Sequence, residues 1–365
     1  MKKQIRIIAF MLATVTLFLF IAGFCAGQTE EEKTYYNNPD ILTNRVQKEK
    51  AAEEESGIVL HKNAKIVFAN VEEGKKILTA KDEYINSLSD FDMRIRMNKT
   101  EPVSEKEYLD FLSQQVLDWS EYEKARIEPM IKTIEESLKD YDLNLPSRIL
   151  LIKTTGKEEG QAAYCRGNAI IIPKNILDQQ SPNLERLIVH ELFHIFTKNN
   201  LRTREALYSI INFHKCEKAE LPRSLTDIEV TNPDVPKERY CIELEHEGRN
   251  IKVIPVLTLP DFDVKRGMPF FRYLRLKLVE VEKNNNEYIY KRDNSGQPVV
   301  YDQRQLPDYV KKVGENTSYL IHPEEILADN FEIMVLGKQP AKSQWVLDKM
   351  KSLLENKNTK GVGIN

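Results

Sequence analysis

The sequence has almost no excess of charge of either sign, and it contains little glycine or proline. Its 53 Lys and Arg residues face 56 Asp and Glu residues, so the formal net charge is −3. Such a chain lacks the field that gathers polyanions, and we expect no nucleic-acid partner. The 14 Gly and 16 Pro exclude a collagen-like or low-complexity chain. At 365 residues, 41% of them hydrophobic, the chain is long enough for one large folded domain or two smaller ones.

Cysteine and histidine are scarce as well, with 4 and 6 residues in the whole chain. The two cysteines closest in sequence are Cys216 and Cys241, and we predict that they form a disulfide in an oxidising compartment. For Cys165 we expect a free, buried thiol rather than a metal ligand.

The first 27 residues are typical of an export signal, because basic residues precede an apolar run at 7–24. That run is long for a signal and short for a membrane span, so a cleaved signal and an uncleaved anchor both remain open. Cys25 adds lipid attachment as a third possibility, although Phe24 stands where lipid attachment favours a small residue. In every case we expect an exported protein that meets the membrane only through this segment. It would be periplasmic, extracellular, or anchored and facing outward.

The composition changes near residue 58. Residues 28–57 are rich in Glu, Lys and Asn without apolar periodicity, which predicts a disordered, solvated spacer. Residues 58–145 predict an N-terminal α/β region, either a separate module or part of the main body. Its β-branched runs at 58–60 and 66–68 predict strands, and a capping box at Ser104 and Glu107 opens the first of two helices, at 108–119 and 127–138.

Residues 146–355 predict the main domain. Apolar runs at 149–152 and 168–172 are typical of buried strands. Ser181 as N-cap and Pro182 at the first helical position predict a helix through about Thr197. The other predicted elements are a helix at 203–214, a β-rich insertion at 240–302 with strands at 251–254, 270–281 and 288–290, and helices at 323–336 and 344–354.

The segment His190-Glu191-Leu192-Phe193-His194 lies in the helix predicted to end near residue 197. Residues four apart on a helix project from the same face, so His190 and His194 can reach one tetrahedral Zn²⁺ ion. Glu191 is placed to take a proton from an attacking water and to return it to the leaving amine, which makes it the predicted general base. The alternative is a chance match on an ordinary amphipathic helix, and with six histidines in the chain such a match is rare.

This segment matches the H-E-x-x-H motif of the zincin metallopeptidases. The metzincin branch is excluded, because Thr197 and Asn200 occupy the positions of its glycine and third histidine. The sequence instead resembles the gluzincin (thermolysin-like) branch, in which a later helix carries an E-x-x-x-D pattern. The resemblance implies that Glu325 is the third zinc ligand and that Asp329 supports a ligand histidine from the second shell of the metal.

Other assignments remain open around this pattern. Glu324 is the register alternative to Glu325, and Glu205 is nearer to the histidines in sequence but has no aspartate at the matching offset. Tyr319 and His322 precede the helix predicted at 323–336, and each is a candidate catalytic donor to a developing oxyanion. A buried tyrosine and an N-capping histidine are the alternative roles.

From about residue 58 to 336 the chain resembles a group of exported bacterial zincin-like proteins. The resemblance implies an α+β, zincin-like fold, with a mixed sheet packed on the active-site helix, a helical lower subdomain and the β-rich insertion. It also implies a peptide or protein substrate that pairs with the strand at 168–172. The predicted function is a zinc metalloendopeptidase. The alternative is a non-catalytic zinc-containing binding protein that uses the insertion for recognition, although a purely structural zinc site has no use for Glu191.

Overall fold

The computed structural model describes residues 57–178, 183–216, 218–236, 238–266, 270–285 and 287–355. The predicted signal or anchor with Cys25, the predicted spacer, and the predicted cap at Ser181 and Pro182 all lie outside these residues, apart from residue 57 at the end of the spacer. Helices and sheets are mixed along the chain, so the fold is α+β, as predicted at this level. Within the described ranges no helix is both long enough and apolar enough to cross a membrane.

The helices are numbered in chain order. They are α1 (Val71–Leu78), α2 (Glu83–Ser87), α3 (Asp90–Met97), α4 (Glu105–Ser113), α5 (Glu121–Leu138), α6 (Lys174–Asp178), α7 (Asn183–Asn199), α8 (Leu201–Ile210), α9 (Arg223–Thr226), α10 (Pro307–Val313), α11 (Pro323–Leu336) and α12 (Gln344–Leu354). The helices α5, α7, α11 and α12 fulfil predictions, and α11 and α12 do so with their predicted bounds.

The first sheet combines parallel and antiparallel strands. Its strands are β1 (Ile58–His61), β2 (Ala64–Phe68), β3 (Val116–Leu117), β4 (Arg148–Thr154), β5 (Tyr164–Arg166) and β6 (Ala169–Pro173). The order is β1-β2-β4-β6-β5, with β3 beside β4. The pairs β2–β4 and β4–β6 are parallel, and β5 is an antiparallel edge strand on β6. Because β2 pairs with β4, residues 58–145 share a sheet with the main body, which is the second of the two alternatives left open by the sequence.

Both faces of this sheet are buried, since alternate residues of a strand point to opposite faces. On one face Leu150 and Ile152 pack among side chains of α1, α2 and α4. On the other face Ile149 and Leu151 pack among side chains of α5 and α7. The helix α7, which carries His190 and His194, therefore lies directly beneath the sheet.

The short helices α1, α2 and α3 were not predicted from the sequence. A helix of 5 to 8 residues gives too little apolar periodicity to be recognised. Capping signals were present, however. Asn70 with Glu73, and Ser89 with Asp92, form capping boxes in which each side chain bonds the backbone N–H of the other residue.

The second sheet is antiparallel and contains the predicted β-rich insertion. Its strands are β7 (Phe213–Lys215), β8 (Tyr240–His246), β9 (Arg249–Thr258), β10 (Arg275–Asn284), β11 (Glu287–Tyr290) and β12 (Val300–Asp302). The order is β11-β10-β9-β8-β7, with β12 beside β10. Because pairing with β8 draws residues 213–215 into this sheet, α8 ends at Ile210 and the predicted helix to His214 is wrong there. The predicted strand at 270–281 begins instead at Arg275, after a 3₁₀ turn at Phe270–Tyr273.

The helices α7 and α11 lie side by side, and this contact builds the site. Phe193 of α7 and Phe331 of α11 pack with ring centroids 5.4 Å apart. Local signals fix both ends of α11. His322 caps its N-terminus, Pro323 occupies the first turn, and Gly337 ends it in the left-handed conformation at φ 61°.

The structure joins Cys216 and Cys241 in a disulfide that links the end of β7 to β8, 25 residues further along the chain. A Cys216→Ala, Cys241→Ala double variant should lose about 3 kcal/mol of unfolding free energy, because the bond restricts the unfolded chain. Denaturant unfolding with and without reductant measures this loss, and reductant should affect only the wild type. Labelling of both thiols without reductant would contradict the assignment.

Candidate metal centre

Three side chains from α7 and α11 converge on one point. The rings of His190 and His194 lie one turn apart and meet edge to face, with centroids 4.8 Å from each other. Oε2 of Glu325 lies 3.2 Å from Nε2 of His190 and 3.7 Å from Nε2 of His194. The three residues form one of the two groups of ligand-type side chains close enough to share a metal ion in the described part of the chain.

This group fits a zinc ion. Bonds of about 2.0–2.1 Å in a tetrahedral site place neighbouring ligand atoms about 3.3 Å apart, close to the two distances measured here. Nε2 of His194 is buried and has no hydrogen-bond partner among the described residues, which is costly unless a ligand takes its lone pair. Two imidazoles and one carboxylate are also the donor set that zinc prefers when one position stays open.

The electrostatics of the pocket favour a positive charge between the rings. Burial alone would lower the pKa of His194, but the carboxylates of Asp234, Glu325 and Glu324 outweigh burial and raise this pKa to about 9. The protein has therefore assembled negative charge around a buried imidazole. A divalent cation held by the ring would satisfy the same charge.

The outward ring nitrogens of both histidines are held by carboxylates. Nδ1 of His190 lies 2.9 Å from Oδ1 of Asp329, and Nδ1 of His194 lies 2.9 Å from Oε1 of Glu324. Each Nδ1 therefore donates, which leaves Nε2 with a free lone pair for a metal. Asp329 occupies its predicted supporting position, and its other oxygen accepts a hydrogen bond from Thr317.

Neither alternative third ligand faces the metal position. Glu324 points to the far side of His194, where it also accepts hydrogen bonds from Thr197, at 2.5 Å, and from Tyr208. Glu205 is part-exposed and accepts a hydrogen bond from Tyr240 at 2.6 Å. Of the three glutamates, only Glu325 belongs to the group with both histidines.

A loop at 231–234 completes the surroundings of Glu325. Nδ2 of Asn232 donates to Oε1 of Glu325 at 2.7 Å, which leaves Oε2 turned towards the histidines. The preceding residue, Thr231, is fixed to α3. Its N–H donates to Asp92 at 2.8 Å, and its carbonyl accepts from the buried Arg96 at 2.7 Å. The hydrogen bond from Asn232 to Glu325, and the bonds that fix Thr231 to α3, were not predicted from the sequence.

Glu191 lies beside the metal position on the same helix. Burial raises its pKa to about 7, the carboxylate of Asp234 adds to the rise, and His194 and His190 oppose it. A carboxylate whose pKa is near neutrality is suited to accept and return a proton. Cys165 is free and buried, as predicted. Its Sγ lies 3.2 Å from Oε2 of Glu191, a contact that the sequence analysis did not anticipate.

A cavity of about 490 Å³ opens onto these groups. His190, Glu191 and Glu325 lie on its wall, and Tyr319 also lines it from the loop before α11. Tyr319 is 40% exposed and stands where a donor could face a reacting carbonyl. The cavity has a largely apolar lining, formed in part by Ala162, Ala163, Ile176, Leu187 and Phe271.

His322 occupies another position. It does not line this cavity but faces a neighbouring one, and its Nδ1 accepts the hydrogen bond from the N–H of Glu324 that caps α11. Burial lowers its pKa to about 4, so the ring is neutral and suited to accept this bond. His322 therefore caps the N-terminus of α11, which is the alternative role left open by the sequence. The catalytic role predicted for it has no geometric support.

The strand at 168–172 does not border the cavity as predicted. It forms β6, whose two edges are already paired with β4 and β5. The free edge next to the cavity belongs instead to β5 and to the residues just before it. A short hairpin partner of three residues gave no apolar run long enough to predict.

Comparison with protein-family models, curated proteins and solved structures gives no match to this chain. The assignment of the site therefore depends on the geometry of its own residues.

Glu325→Gln should remove stoichiometric zinc, because the amide loses the charge and one acceptor at the shared point. Glu205→Gln is the matched control, and it should keep zinc at one ion per chain. Metal analysis of both purified variants tests this prediction. Zinc retained in Glu325→Gln but lost in Glu205→Gln would overturn the choice of ligand.

Asn232→Ala should weaken zinc binding by about 10- to 100-fold, because Glu325 loses the hydrogen bond that orients it. Competition with a fluorescent chelator measures the dissociation constant. Asn199→Ala offers a control on α7, since this part-exposed amide bonds its own helix and Asn168. Equal zinc affinity in Asn232→Ala and the wild type would contradict the supporting role.

Proposed function

We propose that this chain is an exported zinc-dependent metallopeptidase with a gluzincin-type site. The proposal is based on the convergence of His190, His194 and Glu325 on one point, with Glu191 beside it at the wall of a cavity. A metal held by three protein ligands, with a fourth position open to a cavity, is the arrangement of catalytic rather than structural zinc.

The residues of the chain divide the chemistry between them. Zinc would supply a Lewis acid that makes an attacking water more acidic and polarises the scissile carbonyl. Glu191 takes the proton from the water as its oxygen bonds to the carbonyl carbon. It then gives a proton to the amine nitrogen as the C–N bond breaks. We assign Tyr319, which lines the same cavity, to donate a hydrogen bond to the developing oxyanion.

The surroundings of the site support a zincin-like arrangement. A mixed sheet with an antiparallel edge strand lies on α7, and the neighbouring helix α11 brings the carboxylate of Glu325 to the two histidines. The edge at β5 suits a peptide substrate, because its backbone can extend the sheet. The disulfide between Cys216 and Cys241 supports export, since such bonds persist in oxidising compartments.

The position of Glu191 also favours a peptidase over a non-catalytic zinc protein. A structural zinc site closes all four positions with protein ligands and has no need of a buried carboxylate beside it. Burial raises the pKa of Glu191 in spite of the opposing effect of the two histidines, and such a shifted carboxyl is expected where function rather than stability selects the residue.

Glu191→Gln should bind zinc at one ion per chain and lose hydrolysis by at least about 10³-fold, because the amide cannot accept the proton. Digestion of a broad peptide library, with zinc quantification on the same samples, tests both points. Hydrolysis that persists in this variant would assign the activity to another site. Loss of zinc would mean that Glu191 is part of the metal site.

A further inference from the structure

The edge strand β5 offers a peptide only a limited length of free backbone. Cys165 lies between Tyr164 and Arg166, which pair across β5–β6, and its own backbone groups point outward. Its N–H donates to Oδ1 of Asp234 at 2.8 Å, and its carbonyl accepts from Nζ of Lys198 at 3.3 Å. Because both outward groups are occupied, a strand added to this edge cannot continue past Cys165.

The part of the β5 edge that a peptide can pair with lies before Cys165 in the chain. Ala163 directly precedes β5, and extending the strand to include it would turn its backbone groups to the same outer side as those of Cys165. Ala162, Ala163 and Tyr164 all line the cavity. An extended peptide can therefore pair beside Ala163, and one of its ends must meet Asp234.

Asp234, which accepts the hydrogen bond from the N–H of Cys165, carries a negative charge. Asp234 is 6% exposed and lines the cavity, but it is not in the group of His190, His194 and Glu325. One of its carboxylate oxygens lies within 4.8 Å of a carboxylate oxygen of Glu191. Lys198, with Nζ 3.7 Å from Asp234, is the cation nearest to this pair among the salt bridges of the described residues. Lys198 and the ring of His194 offset part of this negative charge, and the carboxylate of Asp234 at the cavity wall is suited to accept hydrogen bonds from a cationic ligand.

We propose that the enzyme is an aminopeptidase, an inference that rests on the proposed function. Asp234 binds the α-ammonium group of the peptide and thereby ends the substrate site on its N-terminal side. Charge selects the direction, because a C-terminal carboxylate at this position would be repelled by Asp234. Antiparallel pairing with β5 gives the same direction, since it runs the N-terminus of the peptide towards Cys165.

The separation of the two carboxylates sets the position of cleavage. The carboxylate oxygens of Asp234 and Glu191 lie within 4.8 Å of each other, and each residue of an extended peptide spans about 3.3 Å. When the ammonium group is bound at Asp234, the carbonyl next to Glu191 is therefore that of the first residue of the peptide. Water adds to the first carbonyl, the first peptide C–N bond breaks, and the proton passes to the new amine. The products are one free amino acid and a peptide shortened by one residue.

Paired peptides test this inference. Each member of a defined decapeptide set is prepared with a free N-terminus and with an acetylated one, and both forms are digested by the zinc-loaded wild-type protein. Mass spectrometry should show stepwise release of N-terminal residues from the free form. Acetylation should lower kcat/KM by about 100-fold or more, since it removes a charge-assisted hydrogen bond.

Asp234→Asn separates binding of the ammonium from support of the fold, because the amide oxygen can still accept from the N–H of Cys165. It should lower the ratio of kcat/KM for free peptides to kcat/KM for acetylated peptides by about 10- to 100-fold, because only the free peptides lose a charged partner for their ammonium group. Asp227→Asn, an exposed acid that pairs with Arg223 at 3.7 Å, is the matched control and should leave both rates unchanged.

The outcomes distinguish two failures. Cleavage of acetylated peptides at the rate of free ones, or cleavage at internal bonds, would overturn the assignment of Asp234 while the peptidase function stands. If neither form is cleaved by the zinc-loaded protein, the peptidase function and this inference both fall. The comparison of the two peptide forms uses wild-type protein, so it decides the inference even if Asp234→Asn does not fold.

Discussion

The candidate metal centre depends on the pairing of α7 with α11, because this contact brings two imidazoles and the carboxylate of Glu325 to one point. Helix α11 buries acidic residues along its length, and a buried carboxylate is stable only when it is paired or hydrogen-bonded. Each has its partner on a neighbouring element. Glu324 meets His194, Glu325 meets His190 and Asn232, and Glu332 binds Arg186 through two hydrogen bonds of 2.6 and 2.7 Å.

The short helices on the far face of the sheet also reach the site. Arg96 is buried and binds Asp92, Glu159 and the carbonyl of Thr231, so α3 holds the loop that carries Asn232. Because the two charges of Arg96 and Asp92 are desolvated, removing one of them would leave the other buried without a partner. Residues 58–145 thus contribute to the order of the metal centre, which explains why they belong to the same body as the helices α7 and α11.

Much of the candidate site could be predicted from the sequence, because it depends on signals between residues that are close together in the chain. The spacing of His190 and His194 places two rings on one helix face, and Pro323 with Gly337 marks both ends of α11. The strands β9, β10 and β11 were predicted from their alternation, whereas β7, β8 and β12 were not, and the turn at Phe270–Tyr273 shortens β10 relative to the prediction. The edge position of β5 could not be predicted, because three residues carry no periodicity and the order of a sheet is set by its packing.

The sequence by itself determined that two histidines and a glutamate share one helix, and that a second helix begins at Pro323 with acids in its first turn. It left Glu205, Glu324 and Glu325 as alternatives, since acidic side chains look alike until their neighbours are known. Only the tertiary structure decided between them, turning Glu325 towards both rings and Glu324 away. It alone brought Asn232 and Asp234 to the site, because such contacts depend on the burial of charge between elements far apart in the chain.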